Sequence, residues 1–243
     1  GKRIMLVAGE ASGDALGGPL MAALTEQSSE QPEFIGVGGS AMTAEGMASL
    51  FPISDLSVMG LAEILPRLRL IFRRMKQTET LARETRPDII ITIDSPGFNF
   101  RLGKRLKYLG IPLVHYVAPT VWAWKPGRAK KIAQFLDHLL VLLPFEPPYF
   151  EIEGLDCTFV GHSAVSHLPG DGPAFRDRHD ISESAIVLGV LPGSRQGEVS
   201  RLLPEFLETA EQLNSEIDDL VVVVPAVDHV SAVIKQGFDG KSL

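Results

Sequence analysis

The sequence predicts an α/β protein, and three observations carry that prediction. Short apolar runs rich in β-branched residues recur along the chain, and helical segments alternate with them throughout. The clearest run, Ile89–Ile93, reads as a strand covered on both faces, as in a parallel sheet. Polar residues then crowd its end: Asp94, Ser95, Pro96, Gly97 and Asn99 follow at once, where open α/β sheets bind their ligands.

The elements follow in order. Ile4–Ala8 is a first buried strand, running into Gly9-Glu10-Ala11-Ser12-Gly13-Asp14 and a helix through Leu24. That turn matches neither G-x-G-x-x-G nor G-x-x-x-x-G-K-[ST], so it reads first as structure, with Ser12 or Asp14 as helix cap. Phe34–Gly39 is a second strand, Ser40–Gly46 a short helix, and residues 51–59 a connection with some strand character.

Leu61, Ile64, Leu65, Leu68, Ile71, Phe72 and Met75 share one face of the next helix. Arg67, Arg69, Arg73, Arg74 and Lys76 flank it, with no acid between Ile64 and Gln77, in a chain of net charge -7. Such a face edged by cations suits a helix lying in a lipid interface. The competing assignment packs the apolar face on the sheet and leaves the arginines solvated. Pro66 either begins this helix or kinks it.

After Ile89–Ile93, Pro96 and Gly97 are expected to hold a loop, followed by a helix around Leu102–Leu109. Asp94 itself is either a reacting carboxylate or a cap for that helix. Leu113–Val117 is a strand ending in Ala118-Pro119-Thr120, and just beyond lie Trp122 and Trp124, the two tryptophans of the chain. Lys125–Phe135 reads as a basic helix, and Asp137–Leu143 and Cys157–Val160 as strands.

Residues 1–163 thus form one expected domain and 164–184, rich in Pro, Gly and Asp, a linker. The pattern restarts over 185–243 with strand Ala185–Leu191, helix Glu198–Leu213, strand Leu220–Val224 and a helix from 228. Two strands are too few to bury the faces of a doubly wound domain, so this unit reads as incomplete and the chain as a piece of a longer one. Its Pro192-Gly193-Ser194-Arg195 turn between strand and helix is a candidate anion cradle: Gly193 admits close approach, Ser194 donates, and Arg195 supplies a planar fork. A local Arg195–Glu198 ion pair is the alternative.

Composition narrows the function. The chain of 243 residues is 45% hydrophobic and 22% charged, as globular proteins are. Its net acidity disfavours broad binding to nucleic acid. One cysteine, Cys157, and six scattered histidines offer neither a disulfide nor a metal-ligand spacing. No signal peptide or 18-residue apolar span is visible. A strand-end carboxylate in one unit and a diphosphate cradle in the other suit transfer from a nucleotide-activated donor.

G-E-A-S-G-D (9–14), V-M-G-L-A-E-I-L (58–65), I-D-S-P-G-F-N (93–99), H-Y-V-A-P-T-V-W-A-W (115–124), L-P-F-E (143–146), F-V-G-H (159–162) and L-P-G-S-R-x-x-E-V (191–199) together resemble the lipid-A-disaccharide synthases. The resemblance implies a B-type glycosyltransferase fold, two Rossmann-like units across a cleft, the second incomplete here. It implies a reaction joining UDP-2,3-diacylglucosamine to 2,3-diacylglucosamine 1-phosphate, with inversion, to give a β-1,6 disaccharide and UDP. Asp94 would then be the general base and Arg195 a diphosphate contact. Ser12, Gly13, Asp14, Asn99, Pro119, Trp122 and Trp124 would line the acceptor side, with Gly193 and Ser194 at the diphosphate.

The resemblance further implies no cofactor beyond the UDP-sugar donor and no metal. It places the protein in the cytoplasm, peripheral on the inner membrane of a Gram-negative bacterium, which Leu61, Ile64, Leu65, Arg67, Leu68, Arg69, Phe72 and Arg73 would touch. A homodimer is left open. One departure stands out, since the family usually carries Asp where this chain has Gly97. The alternatives are a non-catalytic lipid- or nucleotide-binding piece, and another sugar-nucleotide enzyme such as an epimerase.

Overall fold

The computed structural model describes residues 1–56, 61–162, 165, 170–193 and 196–241, with the side chains of 61–66, 228 and 229 excepted. The chain divides into two compact units, Gly1–His167 and Leu168–Leu243.

In the first unit six parallel strands form one sheet: β1 (Arg3–Ala8), β2 (Glu33–Val37), β3 (Ile89–Ile93), β4 (Leu113–Tyr116), β5 (His138–Val141) and β6 (Cys157–Phe159), in the order β2-β1-β3-β4-β5-β6. The order reverses direction between β1 and β3, which makes their carboxyl ends the topological switch point. Residues alternate between two faces, as pleating requires. Ile4, Leu6, Ala8, Ile91 and Ile93 pack with Met21 and Met42, beneath helices α1 (Ala11–Gln27) and α2 (Ser40–Ala44). Met5, Val7 and Ile90 pack on the opposite face with Met75, Phe98, Leu102 and Leu106. Those four belong to α3 (Leu61–Thr85) and α4 (Pro96–Leu106). Each such side chain, fully withdrawn from water, contributes roughly 1.5–3 kcal/mol before the entropy of ordering is counted.

Helix α3 runs past Met75 to Thr85 and stops where Arg86 (φ 45°) precedes Pro87, a position that disfavours helix. Pro66 therefore lies inside the span of α3. The stretch 51–59 holds a 3-10 turn, Ile53–Asp55, rather than a strand, and residues 57–60 lie outside the description. The basic helix is shorter than predicted, α5 (Arg128–Ala133), because Pro126-Gly127 delays its start. A one-turn helix α6 (Pro148–Glu151) follows β5.

The segment 164–184, expected as a linker, carries one helix among its described residues. Gly172–Arg178 forms α7, capped by Asp171, whose side chain accepts from the Ala174 amide at 3.0 Å.

The second unit pairs β7 (Ile186–Gly189) with β8 (Leu220–Val223) in parallel. Helices α8 (Gln196–Glu216) and α9 (Asp228–Gly237) share a small core of Val199, Leu203, Leu207, Val230 and Ile234. Ile186 and Val187 remain exposed on the two-stranded sheet.

Candidate active site at the switch point

β3 ends in two successive non-glycine residues with left-handed backbone, Asp94 (φ 50°) and Ser95 (φ 45°). Val117, just past β4, has φ 81°, an uncommon conformation for a β-branched residue. Such outliers persist where surrounding structure over-determines them, and they cluster at functional sites. Here the Asp94 amide donates to the Tyr116 carbonyl (2.9 Å) and the Val117 amide to the Leu140 carbonyl (3.0 Å), which pins both bends.

The left-handed pair turns the chain straight into α4, with Pro96 in its first turn, where a missing N–H costs nothing. Pro96 and Gly97 thus start the helix. The loop expected there is absent: Ser95 is the N-cap, left-handed and without a side-chain cap bond, and the helix begins at the next residue.

Across from this bend, the β1–α1 turn comes very close. A Cβ on Gly9 would meet the Ser95 hydroxyl oxygen at 2.3 Å, and one on Gly13 would meet the Ile93 carbonyl at 3.0 Å. Only residues without a side chain allow the first turn of α1 to sit against the end of β3. Ser12 is thereby brought to Asp94, and its hydroxyl donates to Asp94 Oδ2 at 2.7 Å. No described residue bonds the other oxygen of this half-buried carboxylate.

Asp14 is a different case. Its carboxylate accepts from the amides of Gly39 (2.7 Å), Ala41 (2.9 Å) and Met42 (3.1 Å). It is buried and caps α2, so both oxygens are committed to the fold rather than to the acceptor side. Asn99 is also internal: buried, it donates through Nδ2 to the carbonyls of Asp94 (2.8 Å), Ile93 (3.1 Å) and Val7 (3.3 Å). It ties the ends of β1 and β3 together, which positions Asp94 without lining the site.

His115 had no role in the sequence reading. It lies on β4 opposite Thr92, fully buried, with Nδ1 2.7 Å from the Thr92 hydroxyl and its ring edge-on to Phe100. Its Nε2 has no hydrogen-bond partner among the described residues. Burial pushes its pKa down from 6.5 to about 4, against the pull of the Asp94 carboxylate, so the imidazole is neutral near pH 7. The signal available in the sequence was a histidine in the middle of an otherwise apolar strand beside the Asp94 strand.

Pro119 is buried, whereas Trp122 (42% exposed) and Trp124 (59%) stand in water, Trp122 edge-on to Phe145. An apolar groove of about 270 Å³, lined by Leu16, Leu20, Tyr116, Leu140 and Val160 among others, opens one helical turn beyond Ser12. Cys157 is no nucleophile: burial first, then the carboxylates of Glu151 and Asp156, push its thiol up to about 12.

Of the predicted lipid-facing helix, Arg67, Arg69, Phe72 and Arg73 are exposed and Leu68 half-buried. Leu61, Ile64 and Leu65 lie outside the described side chains. Ile71 and Met75 pack into the core, and Arg74 leaves the cationic fringe to bond Asp55 (2.7 Å) and cover the Phe51 ring. In the second unit Gly193 adopts φ 113°, a conformation that excludes ordinary side chains, and sits against Glu198. Ser194 and Arg195 lie outside the described residues. Among the described residues, no group of three His, Cys, Asp or Glu could hold a metal, and no helix is long and apolar enough to cross a membrane.

A family profile described as lipid-A-disaccharide synthetase matches residues 4–236. The chain belongs to the lipid-A-disaccharide synthetase family. It is 56% identical over 237 residues to the lipid-A-disaccharide synthase of Rhodospirillum centenum and 52% to that of Paramagnetospirillum magneticum. These alignments take in 96% of this chain but 59% and 61% of those relatives, so the chain spans about three fifths of their length. Among solved structures it is similar to a Staphylococcus aureus MnaA–UDP co-structure, with a TM-score of 0.68, 14% identity, and coverage of 100% of this chain and 66% of the other. It is likewise similar to a Neisseria meningitidis UDP-GlcNAc 2-epimerase bound to UDP-GlcNAc (0.68, 10%, 98% and 70%). At such identities the likeness shows the fold alone.

Proposed function

We propose that this synthetase-family chain carries the acceptor side of a glycosyltransferase that joins UDP-2,3-diacylglucosamine to 2,3-diacylglucosamine 1-phosphate. The single observation that carries the reading is the Ser12–Asp94 hydrogen bond at the β1/β3 switch point. Ser12 fixes one carboxylate oxygen and leaves the other to meet an acceptor hydroxyl. The carboxylate takes the proton of the 6-hydroxyl as that oxygen attacks the anomeric carbon of the donor sugar. The bond from that carbon to the UDP oxygen breaks on the opposite side, the configuration inverts, and UDP leaves with the electron pair. Neutral His115 behind Asp94 keeps the surroundings apolar without pairing the carboxylate.

The groove beyond Ser12 gives an acyl chain of the acceptor an apolar surface close to the reacting hydroxyl. Ser194 and Arg195, after Gly193, are assigned to the departing diphosphate on chemistry alone: hydroxyl, guanidinium and helix N-terminus all favour negative charge. The exposed cations and Phe72 of α3 suit contact with an anionic membrane surface, where both acylated substrates reside.

The test is product analysis with both acylated substrates in detergent, for this chain and for one extended to the length of its relatives. The extended chain is expected to give UDP and disaccharide 1-phosphate in equal amounts. UDP without disaccharide, or an epimerised sugar, would overturn the assignment.

A further inference from the structure

Beneath the Asp94 bend the sheet carries two polar side chains where packing calls for apolar ones. One row runs Val7, Thr92, His115, Leu139 across β1, β3, β4 and β5, and all four residues are buried. The outer two are apolar, as the interior of a parallel sheet requires, and the inner two are not. Thr92 and His115 pair with each other: imidazole Nδ1 lies 2.7 Å from the Thr92 hydroxyl, which also reaches the Val114 carbonyl at 3.3 Å. The far side of the ring has no such partner. Its Nε2 is buried without a hydrogen bond among the described residues, as is Oδ1 of Asn99. Phe100 stands edge-on to the imidazole at 4.7 Å between centroids and meets Phe135 in turn, so the flank of the ring is aromatic. A buried nitrogen left unpaired costs free energy that a valine or isoleucine in its place would avoid. Such atoms are rare in native interiors and call for a reason.

The reason lies two residues further along each strand. Thr92 precedes Asp94 by two positions, and His115 precedes Val117 by two; both of those residues are left-handed, with φ 50° and 81°. A single peptide unit links the two bends. The carbonyl of the Tyr116–Val117 peptide accepts from the Asp94 amide at 2.9 Å, and its N–H donates to the Leu140 carbonyl at 3.0 Å. Any rotation of that peptide therefore moves the Asp94 backbone. Burial holds the imidazole neutral, against the Asp94 carboxylate and the Val117 backbone, both close enough to favour a proton on it.

We propose that Thr92 and His115 are positioning residues for Asp94. The Thr92 hydroxyl orients the imidazole, the imidazole braces the Tyr116–Val117 peptide, and that peptide holds the Asp94 amide. Asn99 grips the other side of the same residue by donating to the Asp94 carbonyl at 2.8 Å. Two strained bends are thereby kept in one arrangement, which a row of aliphatic side chains would leave without a directional tie. Neither Thr92 nor His115 touches substrate, and their role rests on Asp94 being the base of the reaction proposed above.

A double-mutant cycle tests this, on the chain extended to its relatives' length and with both acylated substrates. Thr92→Val keeps the shape of the side chain and removes the hydroxyl. It should lower kcat roughly tenfold with the acceptor KM unchanged, and Thr92→Ser should recover most of the rate. His115→Gln should slow the enzyme to a similar degree, and the double variant should be no slower than the worse single one. In an Asp94→Asn background, Thr92→Val should alter the residual rate by less than about twofold, because the group it positions is gone. Rates are taken at a temperature where far-UV circular dichroism shows every variant fully folded. An equal drop in both backgrounds would make Thr92 a structural residue only and overturn the proposal. Thr92→Val turning over at the parent rate beside an impaired Asp94→Asn would overturn it too, with the base reading left standing. An Asp94→Asn enzyme as fast as the parent would remove the base, and the positioning role with it.

Discussion

The Ser12 hydroxyl and the Asp94 carboxylate meet at 2.7 Å although 82 residues separate them. The bond joins the first turn of α1 to the end of β3 and orients the carboxylate that follows β3. Ser12→Ala removes that donor and leaves no buried partner stranded, because Asp94 Oδ2 is open to water. Stability should change by less than about 1 kcal/mol, while kcat falls roughly five- to tenfold as Asp94 loses its fixed orientation. Melting curves beside UDP release check both halves.

Asp14 should behave in the opposite way. Asp14→Ala strands three amides at the start of α2 and ought to cost roughly 2–4 kcal/mol. Denaturant titration measures this directly. An Asp14→Ala protein of unaltered stability but weakened acceptor binding would return Asp14 to the site.

His115 sets a pH dependence. Its folded pKa of about 4 lies below the ordinary 6.5, so the unfolded chain binds a proton that the native state resists. The native state therefore suffers no penalty above pH 6.5. It loses stability as pH falls from there toward 4, by roughly 3 kcal/mol at the limit. Urea midpoints between pH 7 and 4 should fall less for His115→Gln than for the parent, and parallel slopes would contradict the assignment.

Gly97 offers a stabilising change. A Cβ there meets nothing within 4 Å, and the first turn of α4 contains no acid. Gly97→Asp adds a negative charge at a helix N-terminus and removes a flexible glycine. It is expected to stabilise by about 0.5–1 kcal/mol, a rise in Tm of about 1–4 °C. A lowered Tm would show that the space is not available in solution.

What the sequence made legible follows from how local the determining physics is. Ile89–Ile93 was placed to the residue because a buried parallel strand is written in consecutive β-branched side chains. Asp94 was visible for the same reason, as the first polar residue after such a strand. The start of α4 was missed because left-handed Asp94 and Ser95 are held by the β4 carbonyl and by Gly9 packing, contacts from distant segments. Asp14 was legible as a cap, but the helix it caps was not, because the amides it accepts from lie 25 to 28 residues later. Helix α7 did leave a local trace, Asp171 two residues before Pro173, which linker composition obscured.

The central claim is that Asp94 removes the acceptor proton. Its most direct test is the rate of UDP release by the chain extended to its relatives' length, with both acylated glucosamine substrates, for the parent and Asp94→Asn. Asparagine keeps the shape and can still accept from Ser12, so folding and acceptor KM should hold while kcat drops by roughly 10²–10⁴. Equal kcat for the two proteins would contradict the account and remove Asp94 as the base.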